Sequence, residues 1–176
     1  MASKWAYEAL AVHQFKTNKY HEGLFEYDKQ ISESTYRKDY WIPEMKKKVI
    51  SLGYILELQS PEANKKEEAI QLIRTEIEKE NRFNSELKFD KFDKLTVDSA
   101  NNQTIAELRD YLDRLSKYYV KKRNAVDATK DRVIASKLKT PEEREAFNKL
   151  RDDYYNESLG DLVMNSSDFY RIIERN

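Results

Sequence analysis

Residues 104–138 contain neither glycine nor proline. Within them Ile105, Leu108, Leu112, Leu115, Tyr119, Val126 and Val133 fall on alternating steps of three and four residues. An α-helix returns every third or fourth side chain to one face, so this spacing draws an a/d seam down a long helix. At ~1.5 Å per residue that helix is roughly 50 Å long, and the remaining chain must fold back along it. Lys122 and Thr129 occupy seam positions that should be apolar. The second half of the helix is therefore expected to make a poorer core than the first.

The flanking sequence reads as shorter helices. Residues 3–15 are amphipathic through Trp5, Ala6, Ala9, Leu10, Val12 and Phe15, with Ser3 as N-cap. Residues 18–23, with Tyr20, His21 and Gly23, read as a turn. A second helix follows over residues 24–40. Ile42-Pro43-Glu44 is expected to break the chain and start a third helix to Gln59, in which Gly53 costs ~1 kcal/mol relative to Ala. Ser60-Pro61-Glu62 restarts the chain, and a fourth helix is expected over residues 65–83, with Ile70, Ile73, Ile77 and Phe83 as its inner line and Glu67, Glu68, Arg74, Glu76, Glu78 and Lys79 mostly in solvent. Residues 87–95 alternate apolar and charged side chains. A lone strand there would leave its backbone unpaired, so we expect an extended connection anchored by Phe89, Phe92 and Leu95. Thr140-Pro141-Glu142-Glu143 carries a Thr cap, a Pro at the first position and a Glu for the reciprocal cap. The helix it starts should run to Met164, antiparallel to the long one, with a last short helix over residues 169–174.

Charged residues make up 36% of the chain and mean hydropathy is -0.91, so the core is thin and the surface large. Three glycines and three prolines leave little material for hairpins. The expected fold is all-α: one domain over residues 1–176, an elongated, mostly antiparallel helical bundle built on the long helix.

Composition also narrows the function. With 32 basic and 32 acidic residues the formal net charge is zero, which argues against a nucleic-acid surface and against polybasic adsorption to a membrane. There is no cysteine, and no apolar run approaches the ~20 residues of a membrane span. His13 and His21 lack the spacing that puts two ligands on one helical face. The isolated glycines form no phosphate loop, and no carboxylate pair reads as catalytic, so no enzyme, metal or cofactor role is expected of this chain. The doublets Tyr118-Tyr119 and Tyr154-Tyr155 should each turn one ring inward and one partly outward. These four form a candidate contact surface for a protein partner or an apolar substrate.

The first helix reads Ser3-Lys4-Trp5-Ala6-Tyr7-Glu8-Ala9-Leu10-Ala11-Val12-His13-Gln14-Phe15. This run resembles the segment after the fifth membrane span of ATP-binding cassette (ABC) exporters of the White (G) subfamily. There a basic-plus-aromatic pair is followed by an aromatic, an Ala-Leu-type pair and a polar-Phe ending. Lys4-Trp5, Tyr7, Ala9-Leu10 and Gln14-Phe15 match that order. Bacterial members carry a long polar insertion before the last span, and the rest of this chain is similar to such an insertion. The resemblance implies a bacterial, extracytoplasmic (periplasmic) domain of a transporter, non-catalytic itself, capping the exit side or receiving a partner or exported substrate. Trp5, Tyr7, Leu10 and Phe15 would join it to the membrane portion. ATP and Mg would belong to the parent chain, because no Walker A motif, signature motif or membrane span is present here. The alternative from composition alone is a free-standing cytosolic helical adaptor that binds proteins through its charged rod and tyrosines.

Overall fold

The computed structural model describes Ala6, Ala9, Leu10, His13, Gln14 and residues 17–57 and 63–157. Those residues form an all-α helical bundle. Helix α1 spans Phe25–Tyr36 and is followed directly by a π-helical segment, Arg37–Trp41, and by α2, Ile42–Glu57. Helix α3 spans Ala63–Phe83, a 3-10 turn covers Phe92–Lys94, α4 spans Asn102–Ser136 and α5 spans Pro141–Tyr154. Residues 169–174, expected to be helical, lie outside the described residues, as does the chain beyond 157.

Two compact units emerge. One is Arg37–Val120; the other joins the described residues up to Tyr36 with those from Lys121 onward. Helix α4 contributes its first half to the former and its second half to the latter.

In the Arg37–Val120 unit all three helices carry the same seam. Ile42, Met45, Val49 and Leu52 are buried on α2, Ile70, Ile73 and Ile77 on α3, and Ile105, Leu108, Leu112, Leu115 and Tyr119 on α4. Steps of three and four on every helix let the ridges of one seat in the grooves of the next. Each fully buried Leu or Ile contributes ~1.5–3 kcal/mol of transfer free energy. Helices α2 and α4 run antiparallel: Gly53 packs toward Ile105, while Lys46 pairs with Asp113 at 2.5 Å. Helix α2 is also antiparallel to α3, since Trp41 donates to Glu76 at 3.2 Å near the far end of α3. Helices α3 and α4 therefore run the same way, which only a long return segment between them permits. That segment is the extended connection the sequence implied. Phe89 and Leu95 are buried in the core, and Phe92 packs edge-on to Phe89 at 5.6 Å. Asn81 holds the segment with both ends of its amide, donating to the Phe89 carbonyl at 2.6 Å and accepting from the Phe89 N–H at 3.0 Å. Helix α4 starts on a reciprocal cap. Asn101 Oδ1 accepts from the Thr104 N–H at 3.1 Å, and Thr104 Oγ1 accepts from the Asn101 N–H at 3.3 Å.

Two expectations are corrected here. The chain does not break at Ile42-Pro43. Proline removes one donor from the ladder, and the backbone answers with a π turn before it rather than with a loop. Phe83 does not continue the inner line of α3, being 45% exposed with the Arg37 guanidinium 4.6 Å over its ring. The slot after Ile77 is taken by Glu80, which is fully buried. Tyr119 donates its hydroxyl to one Glu80 oxygen, and Arg37 Nε lies 3.2 Å from the other. Burial, and then the Glu80 carboxylate, push the phenols of Tyr119 and Tyr111 above their ordinary range, so both hydroxyls stay protonated.

The other unit is packed differently. The buried residues of α1 are Asp28, Ser32 and Ser34, and the second half of α4 buries none. Asp28 accepts from Lys130 at 2.5 Å. Gly23 lies beside Lys137, so α1 and this part of α4 run antiparallel. The weak seam at Lys122 and Thr129 thus corresponds to a helix surface without a dry core.

Two outcomes follow. Leu112→Ala should lower unfolding stability by ~2–5 kcal/mol, whereas Val126→Ala on the half-buried second half should cost about 1 kcal/mol or less, read from urea midpoints. Arg37→Met strands a buried carboxylate and should cost ~3 kcal/mol, against a near-neutral Lys38→Met at the neighbouring position.

Candidate functional site

The described residues before Asn18 lead into a polar and aromatic cluster. Ala6, Ala9, Leu10, His13 and Gln14 are helical and exposed, with Leu10 58% exposed. Trp5, Tyr7 and Phe15, the other expected junction residues, lie outside the described residues. The helical run closes where the Thr17 hydroxyl donates to the His13 carbonyl at 2.8 Å. Asn18 then turns the chain, its Oδ1 accepting from the Tyr20 N–H at 2.9 Å, as asparagine does in a local side-chain turn.

That same Asn18 reaches across the unit. Its Nδ2 donates to the backbone carbonyl of Tyr154 at 2.6 Å, one of the carbonyls that the last turn of α5 leaves without an intrahelical donor. Lys19 reinforces the contact, donating to the Tyr154 hydroxyl at 3.1 Å with its ammonium 4.9 Å from the ring centre. The Tyr154 hydroxyl holds the Lys19 ammonium above its ordinary pKa. Tyr20 packs against Phe147 at 5.6 Å, Tyr155 at 5.4 Å and His21 at 5.0 Å. Helix α5 is mounted on this turn rather than on a buried face of its own: it has a full Thr140–Glu143 capping box but no buried residue. The cluster holds the point where the chain arrives, residues 18–21, against the point where α5 ends.

His21 lies at the base of the cluster, 7% exposed. Burial pulls its pKa below the ordinary histidine value; the Asp28 carboxylate opposes that, and Lys130 adds to it. The imidazole is thus favoured in its neutral form.

The tyrosine doublets divide. Tyr119 is buried and bonded to Glu80, which withdraws it from any contact surface, while Tyr118 is half-buried beside it. Tyr154 and Tyr155 are both exposed, at 38% and 47%, so that doublet has no inward ring. Sequence reasoning placed Tyr154 and Tyr155 on a surface but missed their partners. Asn18 read only as a turn residue, and nothing local links it to a residue 136 positions away.

Among the described residues no group of three or more His, Cys, Asp or Glu side chains is placed to hold a metal ion. No described helix is long and apolar enough to cross a membrane. No protein-family model, curated protein or solved structure matches the chain.

The His21 environment sets a pH dependence. A base whose folded pKa is depressed contributes stability above its unfolded value near 6.5 and loses it as pH falls through that value toward the folded one. The melting temperature should therefore fall between pH 7.5 and pH 5.5, and His21→Phe should shrink that fall. Equal falls in the two proteins would rule out His21 as the titrating group.

Proposed function

We propose that this chain is an extracytoplasmic domain of an ABC exporter of the White type, inserted between two membrane spans and non-catalytic itself. One observation carries the reading. Asn18 and Tyr154, 136 positions apart in the chain, are hydrogen-bonded at 2.6 Å. A domain inserted between two spans must receive and return the chain at neighbouring points, and this contact supplies that geometry. The stretch that resembles the post-span segment of the exporters, Lys4 to Phe15, lies immediately before that point. The exposed Leu10 on the same stretch offers an apolar face for the membrane portion to cover. Trp5, Tyr7 and Phe15 would join it there. The exposed sides of Tyr154 and Tyr155 would stand on the other side of such a junction, facing a partner or exported molecule. ATP and Mg would be bound by the parent chain, remote from these residues.

Side-specific proteolysis tests the proposal in the source cell. The turn between α4 and α5 presents the exposed residues Lys137 and Lys139 to trypsin. Cleavage in spheroplasts and protection in inside-out vesicles is the expected pattern. Cleavage only from the cytoplasmic side would end this reading in favour of a cytosolic adaptor.

A further inference from the structure

Between α2 and the first half of α4 runs a cleft of about 420 Å³, within the size range of small-ligand sites. Its floor is apolar: Gly53 and Ile105 are buried there, and Ala106 lines the α4 side. Ile50 and Tyr54 rise from α2 on the same face and stay 40% and 62% exposed. At Gly53 an added methyl group would meet only Ile105 Cγ2, at an ordinary 3.7 Å. Alanine would therefore fit, would favour the helix, and would put its methyl group on the cleft floor.

The polar residues of the cleft sit at its two ends. Gly53 lies opposite Ile105 in an antiparallel pair, so Arg109 falls one turn to one side and Glu57 one turn to the other. Their backbones are offset by roughly 12 Å along the cleft, at ~1.5 Å per residue. Among the described residues neither side chain takes part in an ion pair. Asn102 stands at the Glu57 end, with an amide that both donates to and accepts from a peptide group. A cation at one end, an anion at the other and an apolar floor between them match a ligand with the same order of groups. In a free amino acid the ammonium and the carboxylate carbon are only about 2.5 Å apart, too close to reach both ends. An extended peptide advances ~3.3–3.6 Å per residue, so three residues reach about 10 Å, and the long Arg109 and Glu57 side chains lean inward to close the remainder.

We propose that this cleft binds short peptides of about three residues with free termini. The carboxylate sits on Arg109, the ammonium on Glu57, and an apolar central side chain lies over Gly53 between Ile50 and Tyr54. The site is independent of where the chain resides in the cell.

The test is an NMR titration of the isotopically labelled 176-residue chain with Ala-Leu-Ala. Saturable shifts are expected at the amides of Gly53, Tyr54, Ala106 and Arg109. The acetylated and amidated form of the same peptide should bind at least about tenfold more weakly, because each lost contact is a hydrogen bond to a charged group. Arg109→Gln, at an exposed position, should weaken the free peptide about tenfold and leave the capped one unchanged. Gly53→Ala should weaken both while its melting temperature holds or rises. Equal binding of free and capped peptides would overturn the proposal, as would the absence of saturable shifts at concentrations well above millimolar. So would shifts produced only by a longer amphipathic helical peptide, which would make the cleft a helix-docking groove.

Discussion

A fully buried carboxylate governs how the three helices of the Arg37–Val120 unit meet. Taking Glu80 out of water costs several kcal/mol unless its oxygens are satisfied. Tyr119 from α4 satisfies one, and Arg37 from the π-helical segment faces the other at 3.2 Å. Because those partners come from different parts of the chain, the network admits only one register of α3 against α4. The same guanidinium covers the outer ring of Phe83 and lies 5.8 Å from the Trp41 ring centre. Phe83 is thereby held at the surface, with its face occupied by a cation. An apolar residue at position 80 would bury as much area and fix much less, since hydrophobic contact has no direction.

The two units show what a seam is worth. Through Tyr119 every a/d position of α4 is apolar and buried. Beyond it, lysine and threonine enter the seam, and the helix buries nothing completely. Its contact with α1 is then an ion pair, Asp28 with Lys130, beside serines. In such a largely covered pair the cost of desolvating two charges offsets much of their attraction, so it contributes less than a buried leucine. That surface is held by specific polar contacts and by the aromatic cluster at Tyr20, where Phe147 and Tyr155 anchor α5 to the turn. The turn at residues 18–21 is thus coupled to the end of α5 through a few hydrogen bonds and rings.

Much of the helical layout was legible because periodicity and capping are local. The long helix, the Thr140-Pro141 start and the anchoring of the return segment by Phe89 and Leu95 all follow from residues within a few positions of one another. What misled was equally local. Proline in Ile42-Pro43 signals the end of a regular ladder, but it does not say whether a loop or a π turn follows. Phe83 reads as inward because it is apolar, and nothing local marks Glu80 as buried. Phe83 turns out and Glu80 turns in once Arg37 and Tyr119 are placed near them. The contact between the turn and the end of α5 was half visible: the Tyr154-Tyr155 pair could be singled out by type, whereas Asn18 and Lys19 could not.

By itself the sequence determined most of the helices, the apolar seam of α4 and the point along it where a dry core must give way. Those properties depend on spacing along the chain, which a repeating backbone turns directly into a face. Only the tertiary structure decided that α3 and α4 run the same way, that a carboxylate closes the core, that Asn18 meets Tyr154, and that Gly53 lines a cleft with Arg109 and Glu57 at opposite ends. Each of these joins residues from separate elements. A contact between distant residues is set by how whole faces pack, and no local pattern records it.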